Sequence, residues 1–205
     1  MSRSKSSRPI SLTPKGSVCV PEFTLTAQPF LGGYSRDFGD TKLVELTEVS
    51  ITSIAEPRNG RATLEGAVKS AWGCALPAAG QSVESTSGRL FCTGPDSFML
   101  AGPSLFDPAG DATKALDGAG YVTDQSEAWV TLRLDGPQAR AALERICPVD
   151  LHPDALPAGA FARTVMEHLG AIVLAEGGDA FTLMSASSSA GSFLHAIEVS
   201  LTNLQ

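Results

Sequence analysis

An α+β fold built from one unit used twice is what the sequence predicts, and three observations point to it. Residues 93–100 (TGPDSFML) are echoed by residues 176–183 (EGGDAFTL): turn residues, an Asp, then an apolar alternation, each after a short apolar run. Around these echoes the order strand, helix, hairpin, helix runs twice. The chain has 205 residues, 43% hydrophobic and 18% charged, enough to bury the core that such a pair needs. A βαββα unit leaves one sheet face apolar, so two units can pair to cover it. The expected result is two ferredoxin-like halves of one domain.

The elements follow in order. Residues 1–40 carry Ser, Pro and Gly throughout and show no strand or helix period. They nevertheless contain Phe23, Leu25, Phe30, Leu31, Tyr34 and Phe38, more large apolar side chains than a solvated tail would hold. They read as an extended N-terminal arm laid on the chain's own core or on another subunit. Residues 41–205 read as the duplicated domain, with halves of about 43–120 and 121–205.

In the first half Val44, Leu46, Val49, Ile51 and Ile54 keep near-strand spacing, with one slip between Leu46 and Val49. Leu64, Ala67, Val68, Ala71, Trp72 and Ala75 then share one helix face, which Pro77 is expected to stop. Residues 88–102 read as two strands around a Gly-Pro-Asp turn, and residues 108–120 as a short helix and its exit. In the second half residues 128–134 alternate as a strand, and Gly136-Pro137 opens a helix with Ala139, Leu143, Ile146 and Cys147 inward. Three strand candidates (FARTVMEH, AIVLA, AFTLM) and a last helix near residues 192–204 complete it. Gly60 answers to Gly136 and Gly94 to Gly177, at intervals of 34 and 41 residues.

Composition excludes several functions. The net charge is −7, and Arg3, Lys5, Arg8 and Lys15 precede the first acid, Glu22, so the body is more acidic still. Such a body repels nucleic acid, which disfavours an RNA-binding module working through the basic arm. No apolar run reaches the length of a membrane span, and the N-terminus has no apolar core of a secretory signal, so a cytoplasmic protein is expected. Cys19, Cys74, Cys92 and Cys147 are scattered without a CxxC pair and read as buried small hydrophobes.

No chemistry-bearing set emerges. Gly118-x-Gly120 has Thr123 at the third glycine position, and reads as a turn rather than a nucleotide loop. His152, His168 and His195 have neither HxH nor HxxxH spacing and predict no metal site. Residues 185–192 (SASSSAGS) read as a loop with Ser189 or Ser192 capping the last helix. No catalytic, cofactor-binding or metal-ligating residue is expected in this chain.

The motifs do carry a resemblance. TGPDSFML resembles the "lGPdeWLL" hairpin of the gamma subunit of bacterial heterotetrameric sarcosine oxidase. Residues 122–151 resemble that family's second-half opening, FARTVMEHLGAIVL its "R-T" strand pair, and residues 178–201 its closing hairpin and helix. The likeness covers about residues 43–205. Phe98 stands where the family usually has Trp, and Met184-Ser185 where it has "R-S", which weakens any arginine-dependent contact. More distantly the same landmarks resemble the folate-binding module of glycine-cleavage T-proteins and of a tRNA-modifying GTPase, which implies one T-protein-like domain.

This resemblance implies a gamma subunit without chemistry of its own, in a complex that oxidatively demethylates sarcosine to glycine. The complex would carry FAD, FMN, NAD, zinc and tetrahydrofolate on other subunits. It would yield H2O2 with formaldehyde or 5,10-methylenetetrahydrofolate. The implied partners are the alpha, beta and delta subunits, with alpha in direct contact. The alternative is a stand-alone folate-binding one-carbon transfer protein of the T-protein type, for which Asp124 is the candidate carboxylate.

Overall fold

The two echoing stretches fold into the same kind of element. The computed structural model describes residues 28–204, so Cys19, Phe23, Leu25, the four early bases and the rest of the arm up to residue 27 lie outside the described residues. Strands β1 (Ser35–Phe38), β2 (Thr41–Glu45) and β3 (Val49–Ala55) lead to helix α1 (Arg61–Trp72). Strands β4 (Ser82–Ser85), β5 (Gly88–Gly94) and β6 (Ser97–Pro103) then lead to α2 (Pro108–Leu116) and β7 (Tyr121–Asp124). Strand β8 (Trp129–Asp135) and α3 (Ala139–Glu144) follow. Strands β9 (Phe161–Met166), β10 (Leu169–Gly177) and β11 (Ala180–Ala186), with α4 (Ala190–Thr202), close the chain.

Residue alternation sorts these strands into layers. In β5, Leu90 and Cys92 pack under α1 and α2, while Phe91 points the other way. In β10, Ala171, Val173 and Ala175 pack under α3 and α4, while Ile172 and Leu174 point the other way. The second faces meet: Ile51, Phe91 and Met99 of one sheet pack on Phe161, Ile172, Leu174 and Met184 of the other. Phe91 and Phe161 touch edge to face, with centroids 5.2 Å apart. The architecture is therefore α+β in four layers, with two antiparallel sheets inside and helices outside.

One sheet has the order β4-β5-β6-β3-β7, the other β9-β10-β11-β8-β2-β1. Strand for strand, their local details also match. Both hairpins carry a bulge just before the turn, between Cys92 and Gly94 and between Ala175 and Gly177. Ile54 pairs with Phe98 as Leu134 pairs with Phe181. Arg61 lies over the Phe98 ring at 5.2 Å and donates to the Pro95 carbonyl at 2.7 Å. Arg140 lies over the Phe181 ring at 5.2 Å and donates to the Gly178 carbonyl at 3.0 Å. The Glu56 N–H donates to the Asp96 carbonyl as the Gly136 N–H donates to that of Asp179. Gly136 thus corresponds to Glu56, not to Gly60. The connection from strand to helix spans residues 56–60 in one case and 136–138 in the other, which shifted the sequence alignment.

The slip between Leu46 and Val49 is a crossover. Strand β2 ends before it and pairs with β8, whereas β3 starts after it and pairs with β6 and β7. The halves drawn at 43–120 and 121–205 therefore differ from the sheets, because β7 lies in the sheet of β3 and β2 in that of β8. Gly136, at φ 132°, seats this exchanged strand. A Cβ there would stand 2.4 Å from the Asp40 carbonyl oxygen.

Residues 31–40, counted with the arm in the sequence reading, are built into the body. Phe38 is fully buried, and Leu31 and Tyr34 pack on the core beneath α3 and α4. A carboxylate holds this segment instead of a hydrophobic period. Glu45, buried, accepts from the N–H groups of Leu31 (2.9 Å), Gly33 (2.7 Å) and Tyr34 (3.3 Å). The Tyr34 hydroxyl then donates to Glu198 of α4 at 2.6 Å, and Arg36 pairs with the same carboxylate at 3.1 Å.

Other differences are local. Gly73, at φ 71°, ends α1 before Pro77 is reached. The last helix begins at Ala190, and no serine side chain caps it. The Ser187–Ser189 turn runs straight into the helix, and the Ser187 carbonyl accepts from the Ala190 N–H.

Two outcomes test this packing. Phe91→Ala should lower the unfolding free energy by about 3–5 kcal/mol, read from urea titrations, since it empties the centre of the seam. An unchanged midpoint would show that the sheets do not pack there. Burial and the bond to Glu198 push the Tyr34 hydroxyl up to about 12 from 10.0. The folded chain holds that proton more tightly, so the contribution is complete below the ordinary value and fades as pH rises toward the folded one. Tyr34→Phe should accordingly flatten the alkaline loss of stability, and equal slopes for both proteins would remove this latch from the account.

Candidate functional site

At the end of the seam, residues of both sheets, polar and apolar, line a cavity of about 370 Å³. It lies beside the crossover from β2 to β3. Its inner wall includes Glu45, Ile51 and Thr131, and Trp129 of β8 stands half-buried beside them. Two loops form the mouth, one after β6 and one after β7, and Phe30 completes it.

Hydrogen bonds to the sheet fix both loops. Ser50 Oγ accepts from the Leu105 N–H at 2.8 Å, and the Ser104 N–H donates to the Glu48 carbonyl at 3.2 Å. Ser126 Oγ accepts from the Ile51 N–H at 3.0 Å and donates to Asp124 at 2.7 Å. Asp124 also accepts from the Ser126 N–H at 2.9 Å, a local turn of the kind a short carboxylate favours. Asp124 does line the cavity, but one of its oxygens is engaged in shaping the wall.

The electrostatics are one-sided. Glu45, Asp124 and Glu127 line the cavity, and no Lys, Arg or His stands among its described lining residues. Such carboxylates could accept from the N–H groups of a folate ring. The paired carboxylates at the glutamate end of a folate would find no cation there, so the described wall fits only part of that ligand.

The remaining sequence candidates fall elsewhere. Gly118 turns the chain at φ 77° out of α2 and into β7, the reverse of the strand-to-helix order a nucleotide loop needs. Gly120 packs where a Cβ would approach Ile54 to 3.0 Å. Cys74, Cys92 and Cys147 are buried, and burial pushes the Cys74 thiol up, away from the reactive thiolate. His152 lies in an exposed loop beside Asp154 at 3.4 Å. His168 and His195, unrelated in sequence, both line a second groove between α4 and the β9–β10 turn, as does Arg145. Among the described residues no group of three or more His, Cys, Asp or Glu could hold a metal ion.

Sequence reasoning missed Glu45, Glu127 and Trp129 as neighbours, because they come from separate elements. Phe106 offered a signal: an aromatic in a short loop between Pro103 and Pro108 has no core position to fill.

No protein-family model matches the chain. It is 37% identical over 123 residues to the sarcosine oxidase subunit gamma of Corynebacterium sp. (strain U-96), covering 55% of this chain and 57% of that one. It is 31% identical over 108 residues to the same subunit of Corynebacterium sp. (strain P-1), covering 52% of each. For that of an Arthrobacter species the figures are 38% over 95 residues, covering 43% of this chain and 45% of the relative. The chain thus spans about half the length of the curated relatives it matches.

Among solved structures, a chain of the heterotetrameric sarcosine oxidase from Corynebacterium sp. U-96, in complex with pyrrole 2-carboxylate, superposes with a TM-score of 0.69 at 24% identity. That match covers 80% of this chain and 84% of the other. The glycine cleavage system aminomethyltransferase T from Bartonella henselae gives a TM-score of 0.57 at 18% identity, over 77% of this chain and 45% of the other. Both share the fold. The likeness to sarcosine oxidase gamma subunits carried by the sequence motifs is borne out in sequence over about half the chain, and the fold of most of it is shared with a chain of the heterotetrameric enzyme.

Proposed function

We propose that this chain is a gamma-type subunit of a heterotetrameric sarcosine oxidase, without catalytic residues of its own, that supports assembly of the complex. The observation that carries this reading is the convergence of two likenesses on one chain. Its sequence matches three gamma subunits at 31–38% identity, and its fold matches a chain of the heterotetrameric enzyme. The complex would oxidise the N-methyl group of sarcosine by hydride transfer to flavin. Water or tetrahydrofolate would take up the imine carbon, giving formaldehyde or 5,10-methylenetetrahydrofolate, and O2 would reoxidise the flavin to give H2O2. FAD, FMN, NAD, zinc and tetrahydrofolate belong in this reading to the alpha, beta and delta subunits, with alpha in direct contact and the complex in the cytoplasm.

The domain itself is in this proposal a duplicated ferredoxin-like unit. Support comes from the matching strand orders, the paired bulges and the two arginines stacked on Phe98 and Phe181. Strands β1, β4 and β9 are added edges. The closing strand of the second unit is supplied by β2, from the start of the chain. A domain that keeps this scaffold while bringing no convergent catalytic set together among its described residues suits a structural role.

A second reading, a stand-alone folate-binding one-carbon protein, draws on the likeness to aminomethyltransferase T and on Asp124 in the cavity. Its weakness is that no cation stands among the described residues of the cavity wall.

Isolation of the tagged chain from its native host separates the two. The gamma reading expects three companion chains and sarcosine-dependent H2O2 from the isolate, while the chain purified alone shows no flavin absorbance and no heat on titration with 5-formyltetrahydrofolate. A lone chain that binds this folate stoichiometrically would establish the second reading instead.

A further inference from the structure

We infer that the cavity at the end of the seam is a docking site for a partner subunit, and that its occupant is a segment presenting a Lys or Arg side chain between apolar neighbours. The inference rests on the reading of this chain as a subunit of a larger assembly.

Two independent observations carry it. The first is the rim. Phe106 is 106% exposed, Leu105 49% and Phe30 41%, and all three border the same opening. Six large hydrophobics are exposed among the described residues, and half of them gather here. Lone exposed apolar residues need no explanation, but a cluster around a concavity marks a surface that is covered in use.

The second is the charge inside that rim. A segment that closed over Phe106 and Leu105 would strip water from Asp124 and Glu127, both exposed, and would lie beside the already buried Glu45. With no cation among the described lining residues, a neutral apolar occupant would leave those carboxylates desolvated without a counter-charge. An acidic occupant would add repulsion. A guanidinium or ammonium supplies the missing charge and donors, and its aliphatic stem can lie along Trp129 and the rim. Charge and apolar contact are thus both satisfied by one kind of side chain.

The site is also held ready. Glu45 is fixed by three backbone N–H groups, and the two mouth loops are tied to β3 through Ser50 and Ser126. Little ordering is left to be done on binding, which favours a specific dock over an adaptable one.

The test uses full-length chain and the remaining subunits isolated from the native host. Phe106→Asp and Glu127→Lys change exposed side chains, so both variants should unfold at the wild-type urea midpoint. Each should weaken association at least tenfold, and wild-type association should fall as salt is raised. If wild type associates and both variants associate equally well, the dock is elsewhere and the inference fails while the subunit reading stands. Loss with Phe106→Asp but not with Glu127→Lys would overturn the basic occupant. Self-association of the chain that Phe106→Asp abolishes would make a second copy the occupant and overturn it too. So would a Glu127→Lys effect that disappears when residues 1–27 are removed, since the occupant would then be this chain's own N-terminal segment. If wild type itself fails to associate, the subunit reading falls first.

Discussion

A sheet whose strands place large apolar side chains on both faces cannot leave either face in water, and both sheets of this chain are of that kind. Helices cover one face of each. The other can be covered only by a second sheet, and Phe91, Met99, Ile172, Leu174 and Met184 make that contact. Each such side chain contributes on the order of 1.5–3 kcal/mol when fully buried. The seam therefore fixes the relation of the two halves, and with it every feature that lies between them. Exchange of β2 and β7 across the crossover reinforces it, because each sheet then holds a strand whose chain neighbour lies in the other.

The cavity is a consequence of where the seam stops. At this end of the seam the facing side of β8 carries Thr131, and the chain crosses from one sheet to the other over residues 46–49. The same crossover carries Glu45, whose buried carboxylate organises the residues before β1 through backbone donors. One short stretch thus links the exchanged strand, the folded start of the described chain and the wall of the cavity. Function in this account comes from surface that the fold leaves uncovered, since the buried interior is committed to packing.

Much of this was legible in sequence where local chemistry decides structure. The hairpins announce themselves through Gly-Pro-Asp and Gly-Gly-Asp turns between alternating strands, and α1 through its single apolar face. Strands β4 and β7 were not legible as strands: SVES holds one apolar residue, and edge strands need little burial. The division of strands between sheets was hidden as well. A slip in alternation marks a break but not the partner chosen on either side of it, which tertiary packing decides. Glu45 looked like any strand glutamate, because its partners are backbone N–H groups of residues that share no motif. The cavity drew on several distant segments; of its residues Asp124 was named from sequence as a candidate carboxylate, whereas Glu45, Glu127, Trp129 and Phe106 were not brought together.

The family likeness was legible for a different reason. Turn glycines, the hairpin Asp and the apolar alternation occur at set intervals because the seam demands them, so their order survives where single residues such as Phe98 and Met184 differ. The central claim is that this domain serves as one subunit among unlike partners. Native mass spectrometry of the complex purified through this chain tests it most directly. The account predicts a single heterotetramer containing one copy of this chain with three different companions; a monomer or a homo-oligomer as the only species would contradict it.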